Sequence, residues 1–411
     1  MPDTIETVIV GGGQAGLALS YMLTQLGCEH IVLEQAAQAG EAWRHRWDSF
    51  TLVTPNWSFR LPGAEYDGAD PGGFMPGGEV IQRLENYVRN FQLPVRFGTR
   101  VSAIEPQESG KGYLVTAGST ALRAEKVVIA TGLYQKPKLL AVSAALPAHI
   151  RQLHSGDYRN PLNLPAGAVL VVGGGQSGCQ IAEELYQSGC KVYLSTGTAA
   201  RVPRRYRGRD IYEWANLTGF LDRTPDNLPS PLARFASNPL VTGKDGGHAL
   251  DLHQFFRDGV MLLGHLRGYE NGNLLFAPDL KESLMKSEKL GASLIQMIDG
   301  YIAQTRLPVP PEMLNNRTDG LAAPEILALD LKQSDIGTII WATGYAFDYT
   351  WIKLPVTDSD GFPMTQRGVT QYPGLYFLGM PWLHKQKSGL LLGVGEDAAY
   401  LADQMAGPSI M

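Results

Sequence analysis

Cysteine is scarce. Cys28, Cys179 and Cys190 are the only three in 411 residues, and no two of them form a C-x-x-C pair. This excludes a disulfide-stapled scaffold, argues against a redox dithiol and suits a reducing compartment. Charge is thin as well, with 18% charged residues and a net charge of −5, so no basic surface is on offer to nucleic acid. No apolar run approaches the roughly 20 residues that span a bilayer, and no basic segment followed by an apolar core opens the chain. The expectation is a soluble cytoplasmic protein with no nucleic-acid or membrane partner; a homo-oligomer is left open. The eight histidines show neither H-x-x-x-H nor Cys/His metal spacing, so no metal site is expected, and His248 and His253 read as turn or surface residues. The hydrophobic fraction is 44%, enough for substantial cores in two or three domains.

The chain is organised around Val8–Gln35. An apolar run enters Gly11-Gly12-Gly13-Gln14-Ala15-Gly16, helical periodicity follows, and Ile31-Val32-Leu33 ends on Glu34. Strand, glycine turn, helix and strand make the βαβ unit that binds dinucleotides. Gly11 permits the tight turn, Gly13 lets backbone approach a pyrophosphate, and Gly16 lets helix and strand pack closely. The helix N-terminus offers free N–H groups and partial positive charge to phosphate. Glu34, with Gln35 beside it, stands where a carboxylate accepts from ribose hydroxyls.

The unit occurs twice. Gly173–Cys190 matches Gly11–Cys28 at nine of eighteen positions, including Gly-Gly-Gly-Gln and the Gly-Cys that ends the helix. Two such units imply two dinucleotides. In the second, Gly173, Gly175, Gln176, Ser177 and Gly178 form the turn, and Glu34 is replaced by Ser195 or Thr196. The carboxylate that would repel a 2′-phosphate is gone. An arginine run from Arg201 to Arg209 follows, and its Arg204 is the expected 2′-phosphate contact, favouring NADPH over NADH.

Between and after the units the pattern alternates. Val80–Asn90 has helical spacing, and Val95–Phe97, Val101–Ile104, Tyr113–Ala117 and Lys126–Ile129 read as strands. The last runs into Ala130-Thr131-Gly132, a small-residue turn that lets backbone pass close to a ligand. Leu146–Pro165 reads as a linker, Arg207–Gly247 as a long irregular insertion and Leu280–Arg306 as a helix. Ile339–Tyr345 repeats the Ala-Thr-Gly ending, Leu375–Leu378 closes on Gly379, and Leu390–Gly393 leads into a final helix through Glu396–Met405. The expected fold is α/β with two Rossmann-like dinucleotide-binding domains. The first, residues 1–160 and 325–411, is discontinuous; the second, residues 161–324, carries the insertion 207–247.

Twin GGGQxG units, paired Ala-Thr-Gly strand ends, the string His154-Ser155-x-x-Tyr158 and the terminal Gly379 segment resemble the flavin-containing monooxygenases. The likeness is to the bacterial and YUCCA-like branch of the class B flavoprotein monooxygenases, and it covers nearly the whole chain. One departure is visible: the family carries Phe and Gly where Ala148 and Ile150 stand. The resemblance implies FAD on the first unit and NADPH on the second. It places Trp43 and Arg44 beside the flavin, Val101 against the adenine and Leu391 at a helix start facing the flavin pyrimidine. It also implies that NADPH reduces FAD, that a C4a-hydroperoxyflavin forms with dioxygen, and that a small apolar N-, S- or carbonyl-containing substrate is oxygenated. Asn56 and His154 are the candidate catalytic residues. The insertion, with Trp214, Phe220, Leu221 and Phe235, is expected to close a substrate cavity against Trp43, Asn56 and Trp57. Rival readings are an NAD(P)H-dependent flavin reductase or oxidase, a dithiol-disulfide reductase disfavoured by the missing C-x-x-C, and a nucleotide-binding sensor without turnover.

Overall fold

The computed structural model describes residues 3–406, apart from 109, 237, 315 and 316. Apolar residues that run without alternation make strands buried on both faces, and both sheets are built on such strands. Asp3–Val10 lies between His30–Leu33 and Thr120–Ile129, pairing with both in parallel, and Val8 and Ile9 are wholly buried. Val95–Arg96 extends one edge, and Leu375–Phe377 joins Thr120–Ile129 in parallel. Tyr113–Ala117 and Val101–Pro106 add an antiparallel flank.

The second sheet repeats the plan on Ala168–Val172, every residue of which is buried. Its neighbours are Val192–Ser195 and Ile336–Trp341, and the sheet is completed by Met261–Leu263 at one edge and Arg151–His154 at the other, all parallel. This moves the expected domain limits. Arg151–His154 falls inside the stretch read as linker, and Ile336–Trp341 inside the returning part of the first domain, yet they pair with each other in the second sheet. The chain crosses between domains near 136–138 and 344–346, where Lys136–Pro137 pairs antiparallel with Tyr345–Ala346.

Each dinucleotide helix, Gln14–Gln25 and Gln176–Gln187, stops by the same device. Gly27 (φ +67°) and Gly189 (φ +88°) take the left-handed conformation. The amides of Cys28 and Cys190 then reach back to the carbonyls of Leu23 and Leu185. This Schellman-type ending explains why Gly-Cys recurs. Cys179 is buried on the second helix, as its helical position suggests. The insertion is better ordered than its composition implies. Trp214, fully buried, sits in a small core with Val202, Tyr206, Val241 and Ile298 of the long helix Leu280–Thr305.

Candidate functional site

The two glycine turns are physically equivalent, and each is closed by the Ala-Thr-Gly end of the strand beside it. A Cβ on Gly11 (φ +109°) would stand 2.5 Å from the Ala130 carbonyl oxygen; one on Gly173 (φ +116°) would stand 2.4 Å from that of Ala342. A Cβ on Gly16 or Gly178 would come within 1.9 or 1.8 Å of the carbonyl oxygen of Gly11 or Gly173, so both third glycines are required for helix-on-strand packing. Gly13 differs: nothing lies within 4 Å of its Cβ direction, leaving open space in front of the helix N-terminus. Gly132 (φ +67°) faces open space too.

At the far end of the first turn, Glu34 accepts from the amide of Gly12 at 2.6 Å and from that of Ala36 at 2.8 Å. The carboxylate is fixed at the strand end, while Gln35 is exposed. Thr99 donates its amide to the Glu34 carbonyl, which brings the strand beginning at Val101 to the same end of the sheet. In the second unit Gly173 donates to Ser195 as Gly11 does to Leu33, so Thr196 is the residue equivalent to Glu34. Both hydroxyls turn inward. Ser195 donates to the Gly264 carbonyl and Thr196 to the Leu263 carbonyl, so neither side chain faces a ribose and only backbone is presented.

Arg204, the expected 2′-phosphate contact, is engaged inside the protein. Its side chain is 3% exposed, pairs with Asp210 at 2.7 Å, donates to the Val53 carbonyl and covers the ring of Phe74 at 4.2 Å. Burial holds its guanidinium below the ordinary value even with Asp210 opposing. The residue pins the second domain onto the Leu52–Phe74 loop of the first. Arg201 is likewise turned to Asp251 and Glu288.

Asn56, read as a peroxide donor, is spent on its own loop. Its amide nitrogen donates to the Asp70 carbonyl at 2.9 Å and its oxygen accepts from Met75 N–H at 2.6 Å. His154 belongs to the interdomain crossover. Nε2 donates to the Gly344 carbonyl at 3.0 Å, Nδ1 accepts from the Gly156 amide at 3.2 Å, and the ring meets Tyr345 edge-on. Burial holds its imidazole below the ordinary value, in keeping with a neutral ring. Asn56 orders its loop and His154 the crossover. Sequence reading missed the aromatic row beside them, in which Tyr345 meets Tyr134 and Arg46 lies 4.4 Å over the Tyr134 ring. Tyr134, two residues after Gly132, and Tyr345, directly after Gly344, were the available signal.

Trp43 and Arg44 lie on the short helix Glu41–Arg44. Trp43 packs against the cores of both domains and Arg44 pairs with Glu85. Along this stretch Arg44 Nε, Arg46 Nε, Thr51 Oγ1 and Trp57 Nε1 are buried without a hydrogen-bond partner, as is Gln176 Oε1 at the second helix start. Gln14 and Gln176 also play matching parts. Gln14 donates to the Gly389 carbonyl at 2.8 Å and Gln176 to that of Val241 at 2.5 Å, each drawing a later segment over its glycine turn. Gly379 (φ +84°) touches Ala15, since a Cβ there would lie 2.4 Å from the Ala15 methyl. Gly379, buried Leu391 and the start of helix Val394–Ala406 therefore gather at the first helix N-terminus.

The insertion reaches the first domain at a different place from the one expected. Trp214 is internal to the second domain. Arg234 binds Asp358 and Asp360, while Phe235 meets Phe347 and Phe362. Between Pro225–Arg234 and Phe362–Thr365 lies a cleft of about 370 Å³ that ends on Trp382 and Leu383. Asn56, Trp43 and Trp57 do not line it. Lys385 and Lys387 bind both Asp222 of the insertion and Glu396 of the final helix.

Two nucleotide turns on two sheets, joined by a paired crossover, define the two-domain architecture of pyridine-nucleotide-dependent flavoproteins. The family model for pyridine nucleotide-disulphide oxidoreductases matches residues 8–207. A CzcO-like oxidoreductase of Geobacillus kaustophilus is 33% identical over 98% of this chain and 99% of its own. Indole-3-pyruvate monooxygenase YUCCA1 of Oryza sativa is 26% identical over 96% and 90%. A flavin-containing monooxygenase structure from Stenotrophomonas maltophilia superposes with a TM-score of 0.66 over 98% of both chains, at 20% identity. The chain belongs to the family of CzcO-like oxidoreductases. A solved structure of OTEMO in complex with FAD and NADP superposes with a TM-score of 0.58 over 99% of this chain and 86% of its own, at 15% identity. Among the described residues no helix is long and apolar enough to cross a membrane.

Proposed function

We propose that this chain is an NADPH-dependent FAD monooxygenase acting on a small apolar substrate that carries nitrogen, sulfur or a carbonyl. The supporting observation is the duplicated seat: two glycine turns with matched Ala-Thr-Gly closures, one keeping its acid and the other having lost it. The residues present fit FAD on the first turn. Gly13 leaves the pyrophosphate space open, Glu34 is fixed for the ribose, Val101 lies at the adenine end, and four orphaned buried donors line Arg44–Trp57. They fit NADPH on the second, where Gly173, Gly175, Ser177 and Gly178 shape the turn and Gln176 Oε1 is unpaired. Bound there, the flavin supplies hydride acceptance and the reaction with dioxygen.

The chain's own work is binding, orientation and exclusion of water. Gln14 holds the Gly389 segment against the first turn, and the N-terminus of helix Val394–Ala406 offers positive potential to negative charge on a bound ring. The lysine tether from Asp222 to Glu396 fastens the insertion over this segment, which limits water entry. A dithiol-disulfide reaction finds no nucleophile here. Cys179 is fully buried with its thiol pushed up to about 12 by burial, and Cys28 and Cys190 stand at the opposite ends of their helices.

The test is turnover under isotopic dioxygen with a thioether, a tertiary amine and a cyclic ketone. Label from dioxygen in at least one product supports oxygenation. Quantitative hydrogen peroxide with all three, and none in product, would assign the chain as an oxidase instead.

A further inference from the structure

With Arg204 buried against Asp210, Arg201 turned to Asp251 and Glu288, and Ser195 and Thr196 turned inward, the acid-free end of the second turn has no side chain of its own aimed at the adenosine ribose. One side chain stands there from elsewhere in the chain. His265 follows the edge strand Met261–Leu263, and its Nε2 lies 3.5 Å from where a Cβ on Gly197 would be. Gly197 directly follows Thr196, and a Cβ on Gly174 of the turn would meet Gly197 N at 2.9 Å. The imidazole tip therefore faces the seat that Glu34 occupies in the first unit.

His265 is held there deliberately. Asp279 receives both the His265 amide, at 3.0 Å, and its Nδ1, at 2.7 Å. Asp279 is the N-cap residue of helix Leu280–Thr305, yet makes no capping hydrogen bond from its side chain. An aspartate in that position ordinarily caps its helix, a contribution of about 1 kcal/mol. Here it serves the histidine instead. Partial burial opposes it, but the His265 amide and ring hold the Asp279 carboxyl below its ordinary range, with Arg267 adding to the effect. Arg267, two residues on, is exposed. The imidazole is held by Asp279 on its far nitrogen.

We propose that His265 is the residue that reads the adenosine 2′ position and sets the balance between NADPH and NADH. This rests on the reading that the second unit holds a nicotinamide dinucleotide. With Nδ1 committed to Asp279, a neutral ring has a free lone pair at Nε2 that accepts from a 2′-hydroxyl. A protonated ring has an N–H there that donates to a 2′-phosphate, with a favourable charge.

The experiment is calorimetric titration of the flavin-loaded protein with 2′,5′-ADP and with 5′-AMP. It compares wild type with His265→Gln and His265→Arg. Wild type should prefer 2′,5′-ADP over 5′-AMP about tenfold more strongly than His265→Gln does. His265→Arg should keep a strong preference. A His265→Gln protein with the wild-type preference would overturn the proposal. Wild type that binds neither nucleotide would instead remove the nicotinamide reading, and this inference with it.

Discussion

Two glycines of the first turn differ in what a methyl group would meet. At Gly16 an added carbon lands 1.9 Å from backbone, so Gly16→Ala should lose soluble folded protein outright. At Gly13 it lands in open space, at an ordinary φ of −78°. Gly13→Val should therefore fold, with unchanged far-ultraviolet circular dichroism, yet purify without the yellow colour of wild type; a yellow Gly13→Val protein would refute the phosphate seat. Arg204→Ala is a stability variant. It strands Asp210 in the interior and removes the tie to Val53, and should cost about 3–5 kcal/mol in denaturant unfolding. KM values for NADPH and NADH should rise together or not at all, whereas a selective loss of NADPH would restore Arg204 to the cofactor. The glycines were legible because their roles are local, set by backbone conformation within six residues. Arg204 was not, because its fate depends on Val53 and Phe74, over a hundred residues away. His265 was equally hidden, because the residues that place it, Gly197 and Asp279, come from other segments of the chain.

At the scale of elements, strands with unbroken apolar runs were readable, and Ala168–Val172 and Tyr113–Ala117 form where the pattern puts them. Arg151–His154 was not readable. Its sequence, Arg-Gln-Leu-His, has one apolar residue in four, and it becomes a strand by pairing with Ile336–Trp341 at the sheet edge. His154 at its end ties that edge to the crossover, which gives a pH signature. Its imidazole is held below the ordinary value of 6.5, chiefly by burial. Below that value the unfolded chain takes up a proton that the folded chain resists, so stability falls as pH drops towards the folded value. His154→Asn should show a shallower fall in melting temperature between about pH 7 and pH 5. His30 and His384, both held low chiefly by burial, contribute to the acid sensitivity that remains. An unchanged slope would show that the crossover histidine does not titrate with unfolding.

For the whole molecule, the insertion matters because it spans both domains: Arg234 and the Asp222 tether reach the first while Trp214 anchors the second. Its composition announced a cover; the partner it covers, Asp358–Leu383, could only come from the fold. If the cleft there admits substrate, Leu228→Trp should raise KM for a bulky substrate about tenfold and leave flavin reduction by NADPH unchanged. An unchanged KM would place substrate elsewhere. The central claim is that two different dinucleotides seated on the two turns meet at one junction. It is tested most directly by mixing the flavin-loaded protein with NADPH without oxygen and following the visible flavin band. Wild type should bleach in a single stoichiometric turnover, and Gly175→Val should keep its flavin but fail to bleach. A protein that holds flavin yet is bleached by neither NADPH nor NADH, or a Gly175→Val variant that bleaches as wild type does, would contradict the account.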